Sequence, residues 1–181
     1  RGHVDTLDVS SRGELQRSIE AGWPPPSISF SGAAESDENL HFALRAQVGE
    51  VVLESFREAA VLSRLAVEMR VEQKVLVRIA PAHVPRGFGV NMSGKPTQFG
   101  IDEEDLSVAL HAINELPGVR IVGFHAYSGT QCLKADALAE NWLNFARLFR
   151  SASEEINIIP EKLVFGSGLG IRYQATDVPV D

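Results

Sequence analysis

Apolar, β-branched runs alternate with segments of helical period along the chain, and this alternation restricts the fold more than any other feature. The strand candidates are residues 4–9, 27–31, 50–54, 74–80, 119–125 and 162–165. The helix candidates are residues 13–21, 37–47, 56–70, 103–116 and 134–155. A strand followed by a helix, repeated about five times, predicts parallel strands joined by crossover helices. The strands are apolar almost throughout, as expected for strands buried on both faces.

Two α/β architectures fit this pattern, a doubly wound open sheet and a (β/α)8 barrel. A complete barrel typically needs about 250 residues, and the chain has 181. It begins at Arg1 without an initiator Met and stops at Asp181, shortly after a Gly-rich stretch. The six strands in residues 1–181 could therefore be most of one barrel domain that is incomplete at both ends, while the doubly wound sheet stays the alternative.

Composition excludes several classes of function. The net charge is −7 and no basic run occurs, which makes nucleic acids and anionic membranes poor candidate partners. The single cysteine, Cys132, excludes an internal disulfide framework and a cysteine-based zinc cluster. The five histidines lack metal-ligand spacing, so no metal is expected. No apolar run approaches the roughly 20 residues that span a bilayer. These features predict a cytoplasmic globular protein.

The fifth helix carries an aromatic stripe, which we interpret as core packing. Its members are Leu138, Trp142, Phe145 and Phe149. Their spacing of three and four residues places them on one helix face.

Small, hydroxylic and charged residues collect where the predicted strands end. They are Asp8, Ser10, Ser11, Ser31, Gly32, Glu54, Ser55, Arg78 and, after the fifth strand, the polar part of GFHAYSGTQ (residues 123–131). In both candidate architectures function collects at the carboxyl ends of the strands. The sixth strand ends in GSGLG (residues 166–170), whose backbone N–H groups could bind a phosphate. A tight turn without a ligand is the alternative.

Three side chains near these ends have two interpretations each. Arg78 lies inside an apolar run and needs a partner or an anionic ligand; an ion pair with Asp8 or Glu54 would satisfy it. His125 could be a hydrogen-bonded core residue or a catalytic one. Tyr127 could pack in the core or offer a flat ring face to a ligand.

The ordered motifs resemble the barrel domain of alanine-racemase-like (fold type III) pyridoxal-phosphate-dependent decarboxylases, which act on ornithine, arginine, lysine or diaminopimelate. The motifs are LDVSSRGEL (7–15), ISFSGAAESDENL (28–40), VLVRIAP (75–81), KPTQFGIDEE (95–104), VGFHAYSGTQ (122–131) and LVFGSGLGIRY (163–173). The resemblance covers essentially the whole chain, about barrel strands 2–7. Two motifs look closest to a branch that includes decarboxylases linked to exopolysaccharide systems and enzymes acting on carrier-protein-bound amino acids.

The resemblance implies a role for each matching position. Gly166, Ser167, Gly168 and Gly170 would bind the cofactor phosphate, together with the hydroxyl of Thr130. Tyr127 occupies the position of the residue that stacks on the pyridine ring, and His125 lies two residues earlier on the same side of the strand. Arg78 matches a strand arginine near the cofactor. Asp8 matches an aspartate that would support the cofactor contacts from behind.

Some family residues have no match in the chain. The lysine that forms the Schiff base would precede Arg1, because Lys74, Lys95, Lys134 and Lys162 occupy other motif positions. The acidic partner of the pyridine nitrogen and the C-terminal β domain would follow Asp181. Glu35 stands where relatives often have lysine, which changes the charge expected at the pocket mouth.

The implied function is pyridoxal-phosphate-dependent decarboxylation of an amino acid through a Schiff base, with either a free basic amino acid or a carrier-protein-tethered aminoacyl group as substrate. A homodimer with a shared active site is expected. The alternatives are a non-catalytic regulatory homologue, a racemase or pyridoxal-phosphate carrier of the same fold, and an unrelated barrel that binds a phosphorylated metabolite.

Overall fold

The computed structural model describes residues 3–33, 35–94, 97–166 and 168–180. The strands are β1 (Leu7–Val9), β2 (Ile28–Ser31), β3 (Glu50–Leu53), β4 (Gln73–Ala80), β5 (Val90–Asn91), β6 (Ile101–Asp102), β7 (Val119–Ala126), β8 (Gly129–Thr130) and β9 (Lys162–Phe165). The α-helices are α1 (Arg12–Glu20), α2 (Asp37–Ala46), α3 (Phe56–Met69), α4 (Leu106–Asn114) and α5 (Ala135–Glu155). Short 3-10 turns cover Pro25–Ser27 and Glu103–Asp105.

The main sheet is parallel and its strands follow chain order, β1-β2-β3-β4-β7-β9, with β6 also paired to β4. A doubly wound sheet reverses its strand order at a switch point, and this sheet does not. The helices therefore cover one face, and the sheet forms a half-barrel. The prediction of a partial (β/α)8 barrel is confirmed.

The core lies between the convex face of the sheet and the helices. Outward side chains of the strands, such as Phe30, Leu53 and Phe124, are fully buried there against Leu62 and Leu110 of the helices. Each buried side chain of this size contributes about 1.5–3 kcal/mol.

A serine caps the start of each of the first three helices, which follow β1, β2 and β3. Ser11, Ser36 and Ser55 each accept a hydrogen bond from the backbone N–H three residues on. Such caps satisfy N–H groups that lack a partner inside the helix. They fix the strand-to-helix turns at the carboxyl rim of the half-barrel.

The concave face is more polar than the convex one. Its apolar residues form a thin layer made of Val52, Leu76 and Val122 with Val164 packed against them. Below this layer Lys162 Nζ lies 3.0 Å from Glu50 Oε2. In a flat sheet β3 and β9 would lie about 14 Å apart, and side chains stand roughly perpendicular to the sheet. The contact therefore shows that the sheet curls.

Three details differ from the sequence predictions. The first strand is shorter than residues 4–9, and the short strands β5, β6 and β8 were not predicted. Trp142 is 38% exposed, whereas Asn141 is fully buried, so the placement of Trp142 in the core stripe was wrong. The buried face of α5 is centred on Leu138, Asn141 and Phe145, which leaves Trp142 at its edge. Within the described residues, no helix combines the length and apolarity needed to cross a bilayer.

Candidate active site

Arg78 and Glu54 form a buried ion pair at the carboxyl rim. Arg78 Nη1 lies 2.7 Å from Glu54 Oε1, and the two side chains are 10% and 2% exposed. The other Glu54 oxygen accepts the Gly100 N–H at 3.0 Å, and the guanidinium lies 4.8 Å from the centre of the Phe99 ring. Of the two partners that the sequence left open for Arg78, Glu54 forms the pair.

Asp8 has a different partner. Its Oδ1 accepts a hydrogen bond from Ser31 Oγ at 2.9 Å, at the opposite edge of the sheet from β9. Burial raises the pKa of Asp8 above its ordinary value, although the Ser31 hydrogen bond and the charges of Lys162 and Arg78 oppose the rise.

Two further carboxyl groups support the rim from behind. The sequence singled out Glu35 only for its charge at the pocket mouth, and it gave Glu58 no role. Glu58 is buried and accepts the backbone N–H groups of Glu35 at 3.0 Å and Glu54 at 2.8 Å. Glu35 accepts a hydrogen bond from Asn39 Nδ2 at 2.7 Å. Burial raises the pKa of both carboxyl groups. The spacing Ser55-x-x-Glu58, typical of a helix capping box, was the available signal for Glu58.

His125 is next to Arg78 across the β4–β7 pairing. It is 7% exposed, and its Nδ1 is a buried atom without a hydrogen-bond partner. Burial, followed by the positive charge of Arg78, lowers the pKa of His125 to about 3. The imidazole is therefore neutral at neutral pH and can accept or donate a hydrogen bond.

Tyr127 follows the end of β7 and contacts the first glycine of the Gly-rich loop. A Cβ on Gly166 would lie 2.3 Å from Tyr127 Cδ2 and 2.6 Å from the Ala126 carbonyl oxygen. Only a residue without a side chain fits at this position. The Tyr127 ring is half-buried, so part of it stays accessible.

The Gly-rich loop is anchored by backbone hydrogen bonds. The Gly166 N–H donates to the Ala126 carbonyl at 2.8 Å, the Gly170 N–H to the Cys132 carbonyl at 2.9 Å, and the Cys132 N–H to the Gly168 carbonyl at 2.8 Å. The N–H groups of Gly166 and Gly170, which the sequence predicted to bind phosphate, are therefore already hydrogen-bonded within the protein. Among the described residues, those of Gly168 and Leu169 meet no acceptor. Ser167, also predicted to bind phosphate, lies outside the described residues.

Part of the long loop between β4 and β6 covers this region. Its strand β5 pairs antiparallel with β8, where Val90 opposes Thr130. The Thr130 side chain is on the exposed side. Phe88 packs against two glycines, since a Cβ on Gly168 would lie 2.7 Å from Phe88 Cε1 and one on Gly129 3.2 Å from Phe88 Cβ.

The structure thus places Arg78, His125 and Tyr127 at neighbouring strand ends, next to the Gly-rich loop and Thr130. Asp8 does not join this group, because it lies near the opposite edge of the sheet. None of the described lysines forms an ion pair or hydrogen bond with these side chains. Lys74 contacts Glu161 at 2.9 Å and Lys162 contacts Glu50, both toward the amino ends of the strands. Lys134 directly precedes α5. No group of three metal-binding side chains occurs in the part of the chain that the structure describes.

Comparison with protein families and curated proteins gives a consistent result. The model of the family described as "Pyridoxal-dependent decarboxylase, pyridoxal binding domain" matches residues 4–181. The chain is 30% identical over 175 residues to an L-glutamyl-[BtrI acyl-carrier protein] decarboxylase of Niallia circulans, covering 97% of this chain and 41% of that protein. It is 32% identical over 171 residues to a diaminopimelate decarboxylase of Zymomonas mobilis, covering 92% and 40%.

Crystal structures agree on the fold. Diaminopimelate decarboxylase from Helicobacter pylori complexed with L-lysine has a TM-score of 0.80 at 24% identity, over 94% of this chain and 43% of that one. The enzyme from M. jannaschii has a TM-score of 0.78 at 25% identity, over 94% and 40%. The chain spans about 40% of the length of the curated relatives it matches.

Proposed function

Because the chain belongs to the pyridoxal-dependent decarboxylase family, we propose that it forms the pyridoxal-phosphate-binding half-barrel of an enzyme that decarboxylates an amino acid. The observation that carries the proposal is the meeting of Tyr127, the Gly166–Gly170 segment and the buried pair Arg78–Glu54 at one rim. That residues 1–181 are one incomplete barrel domain stays a prediction.

The residues at the rim fit this cofactor. The N–H groups of Gly168 and Leu169 are available to phosphate oxygens, and the exposed Thr130 side chain carries a hydroxyl close by. Tyr127 offers a ring of which part is accessible, which suits stacking on a flat aromatic ring. The buried Nδ1 of His125, which has no partner, marks a polar group that a bound molecule can satisfy.

The bound cofactor would act as an electron sink for the charge left when carbon dioxide departs. The residues of this chain hold and orient it. Tyr127 would hold the plane of the ring, while Gly168 and Thr130 would hold the phosphate end. Arg78, kept in place by Glu54 and Phe99, places a fixed positive charge beside the ring site. His125 remains neutral next to that charge, so it can donate or accept a hydrogen bond at the ring site without adding a second positive charge.

Asp8 would stabilise the rim without contacting the cofactor. Its hydrogen bond to Ser31 joins the ends of β1 and β2. Among the lysines that the structure describes, Lys74 and Lys162 lie toward the amino ends of the strands and Lys134 is exposed at the start of α5. We propose that the lysine that carries the cofactor lies outside the described residues.

Two substrate classes follow from the relatives. The Zymomonas mobilis relative is named for diaminopimelate, a free amino acid. The Niallia circulans relative is named for a glutamyl group on an acyl-carrier protein. A homodimer and a cytoplasmic location belong to the same proposal.

The test measures carbon dioxide release by the intact protein from free diaminopimelate, ornithine and lysine and from a glutamyl-loaded carrier protein. We expect release from one of the two substrate classes, and about a hundredfold slower release by Tyr127→Ala, which removes the ring (about 2.7 kcal/mol). Scrambling of the substrate's stereocentre without carbon dioxide would indicate a racemase. Cofactor binding with neither reaction would indicate a pyridoxal-phosphate carrier, and loss of both would favour a regulatory homologue.

A further inference from the structure

The buried polar atoms without a partner are concentrated in one part of the described structure. They belong to His125, Ser128 and Asn141. Ser128 is 1% exposed and Asn141 is 0% exposed. Buried polar groups are almost always hydrogen-bonded, because leaving one unpaired costs free energy. His125 belongs to the site described above, but Ser128 and Asn141 have no role yet.

Aromatic contacts define how α5 lies along β7. Phe124 of β7 stacks on Phe149 with ring centroids 6.0 Å apart. One helical turn toward the start of α5, Phe145 lies 6.3 Å from Phe165, which is paired with Ala126 two residues further along β7. Phe149 also lies 5.1 Å from Phe165. Because α5 connects the parallel strands β7 and β9, the helix runs opposite to β7, and this register puts the earlier turns of α5 nearer the carboxyl end of the strand.

The same register places Asn141 behind the end of β7. Asn141 precedes Phe145 by four residues and follows Leu138 by three, so the three side chains share a helix face. Leu138 packs in a cluster with Cys132. Asn141 thus faces the chain between the end of β7 and Cys132, the stretch that contains Ser128.

The Gly-rich loop runs beside this stretch. Its Gly166 N–H is bonded to the Ala126 carbonyl at one end, and its Gly168 carbonyl to the Cys132 N–H at the other. Ser128 lies between these two anchor points in sequence. Phe124 and Ala126 of β7 face the helices in the core, and continuing this alternation places Ser128 on the same side of the chain as α5 and Asn141.

Backbone geometry explains why donors are needed on that side. The N–H and C=O of one trans peptide unit point in opposite directions, so an N–H that faces a phosphate turns its carbonyl toward the protein. The unit between Gly168 and Leu169 shows this arrangement, with its N–H free and its carbonyl bonded to Cys132. Among the described residues, the Gly166 carbonyl has no such donor, so a donor behind the loop would hold it in the same way.

We propose that Ser128 and Asn141 are positioning residues that donate hydrogen bonds to the backbone of the Gly-rich loop when phosphate is bound and so hold its N–H groups toward the cofactor. The proposal rests on the proposed function, since it assumes that this loop binds the cofactor phosphate. A serine hydroxyl and an asparagine amide supply the donors.

The test compares two probes that have no aldehyde and form no covalent link, pyridoxamine 5'-phosphate and pyridoxamine. In the intact protein, Ser128→Ala and Asn141→Leu should each weaken binding of pyridoxamine 5'-phosphate about tenfold and leave pyridoxamine unchanged. Without ligand, the melting temperature of Ser128→Ala should rise by about 3 °C, because the variant no longer buries an unpaired hydroxyl.

The matched control is Ser63→Ala, since Ser63 is also buried but donates to the Pro117 carbonyl at 2.7 Å. It should lower the melting temperature and leave both affinities unchanged. Wild-type affinities for both probes in a folded Ser128→Ala variant would overturn the proposal, even if Asn141→Leu does not fold. If the wild type binds pyridoxamine 5'-phosphate no more tightly than pyridoxamine, the loop does not bind phosphate. That result would contradict the proposed function itself.

Discussion

Arg78 and Glu54 are the residues on which the rim depends most at the scale of single side chains. Both are buried, and Glu54 also accepts the Gly100 N–H. Arg78→Met leaves the Glu54 charge buried and unpaired, which should lower the free energy of unfolding by about 3–5 kcal/mol.

Urea denaturation of Arg78→Met, Glu54→Leu and the double variant measures this coupling. The double variant should be more stable than Arg78→Met alone, since it removes both charges together. Losses that simply add in the double variant would contradict a buried pair.

The lowered pKa of His125 should make the stability of the protein depend on pH. Its pKa of about 3 in the folded protein lies below the ordinary 6.5. The unfolded chain therefore takes up a proton as the pH falls through 6.5, while the folded chain does not until the pH nears 3. Stability from this group is complete above pH 6.5 and falls below it, by up to about 1.4 kcal/mol per pH unit.

The difference in unfolding free energy between wild type and His125→Asn isolates this effect. It should be constant above about pH 7 and should move in favour of the variant as the pH falls to about 4. The raised pKa values of Asp8, Glu35 and Glu58 act in the opposite direction, but they cancel in the difference. A difference that does not change with pH would mean that His125 is accessible to protons in the folded protein.

At the scale of elements, the Gly-rich loop fits only because its glycines lack side chains. Gly166→Ala would place a Cβ 2.6 Å from the Ala126 carbonyl and against the Tyr127 ring, so the loop must move. We expect a loss of about 1–3 kcal/mol in stability and cofactor binding weakened about tenfold or more, measured by denaturation and by cofactor titration.

Gly13→Ala is the control with the opposite sign. Gly13 lies in α1, and the nearest atom to an added Cβ is Ser11 Oγ at 3.9 Å. Alanine in a helix should stabilise the protein by about 0.5–1 kcal/mol and leave the cofactor affinity unchanged. Equal effects of the two substitutions would show that the loop has room for a side chain.

The strand and helix candidates from the sequence match the long elements because burial on both faces leaves a clear apolar pattern. The pairing of β5 with β8 could not be predicted, since two-residue strands have no periodicity and depend on contacts such as Phe88 with Gly129 and Gly168. Trp142 was misplaced for a related reason: spacing defines a helix face but not which of its edges the neighbouring sheet covers.

At the scale of the whole molecule, strand order decided between the two architectures that the sequence left open. Hydrophobic periodicity is the same in a doubly wound sheet and in a barrel, because strands in both are buried on two faces. The ion pair between Glu50 and Lys162 joins residues 112 positions apart, a relation that no local pattern contains. The partners of Arg78 and Glu58 depend in the same way on which strand ends meet.

The central claim is that this rim binds pyridoxal phosphate, and equilibrium titration of the intact protein with pyridoxal phosphate, followed by the absorbance of the bound cofactor, tests it most directly. Wild type should saturate at one cofactor per chain, with Thr130→Val about tenfold weaker and Tyr127→Ala weaker still. Binding that does not saturate, or that is the same in all three proteins, would contradict the claim.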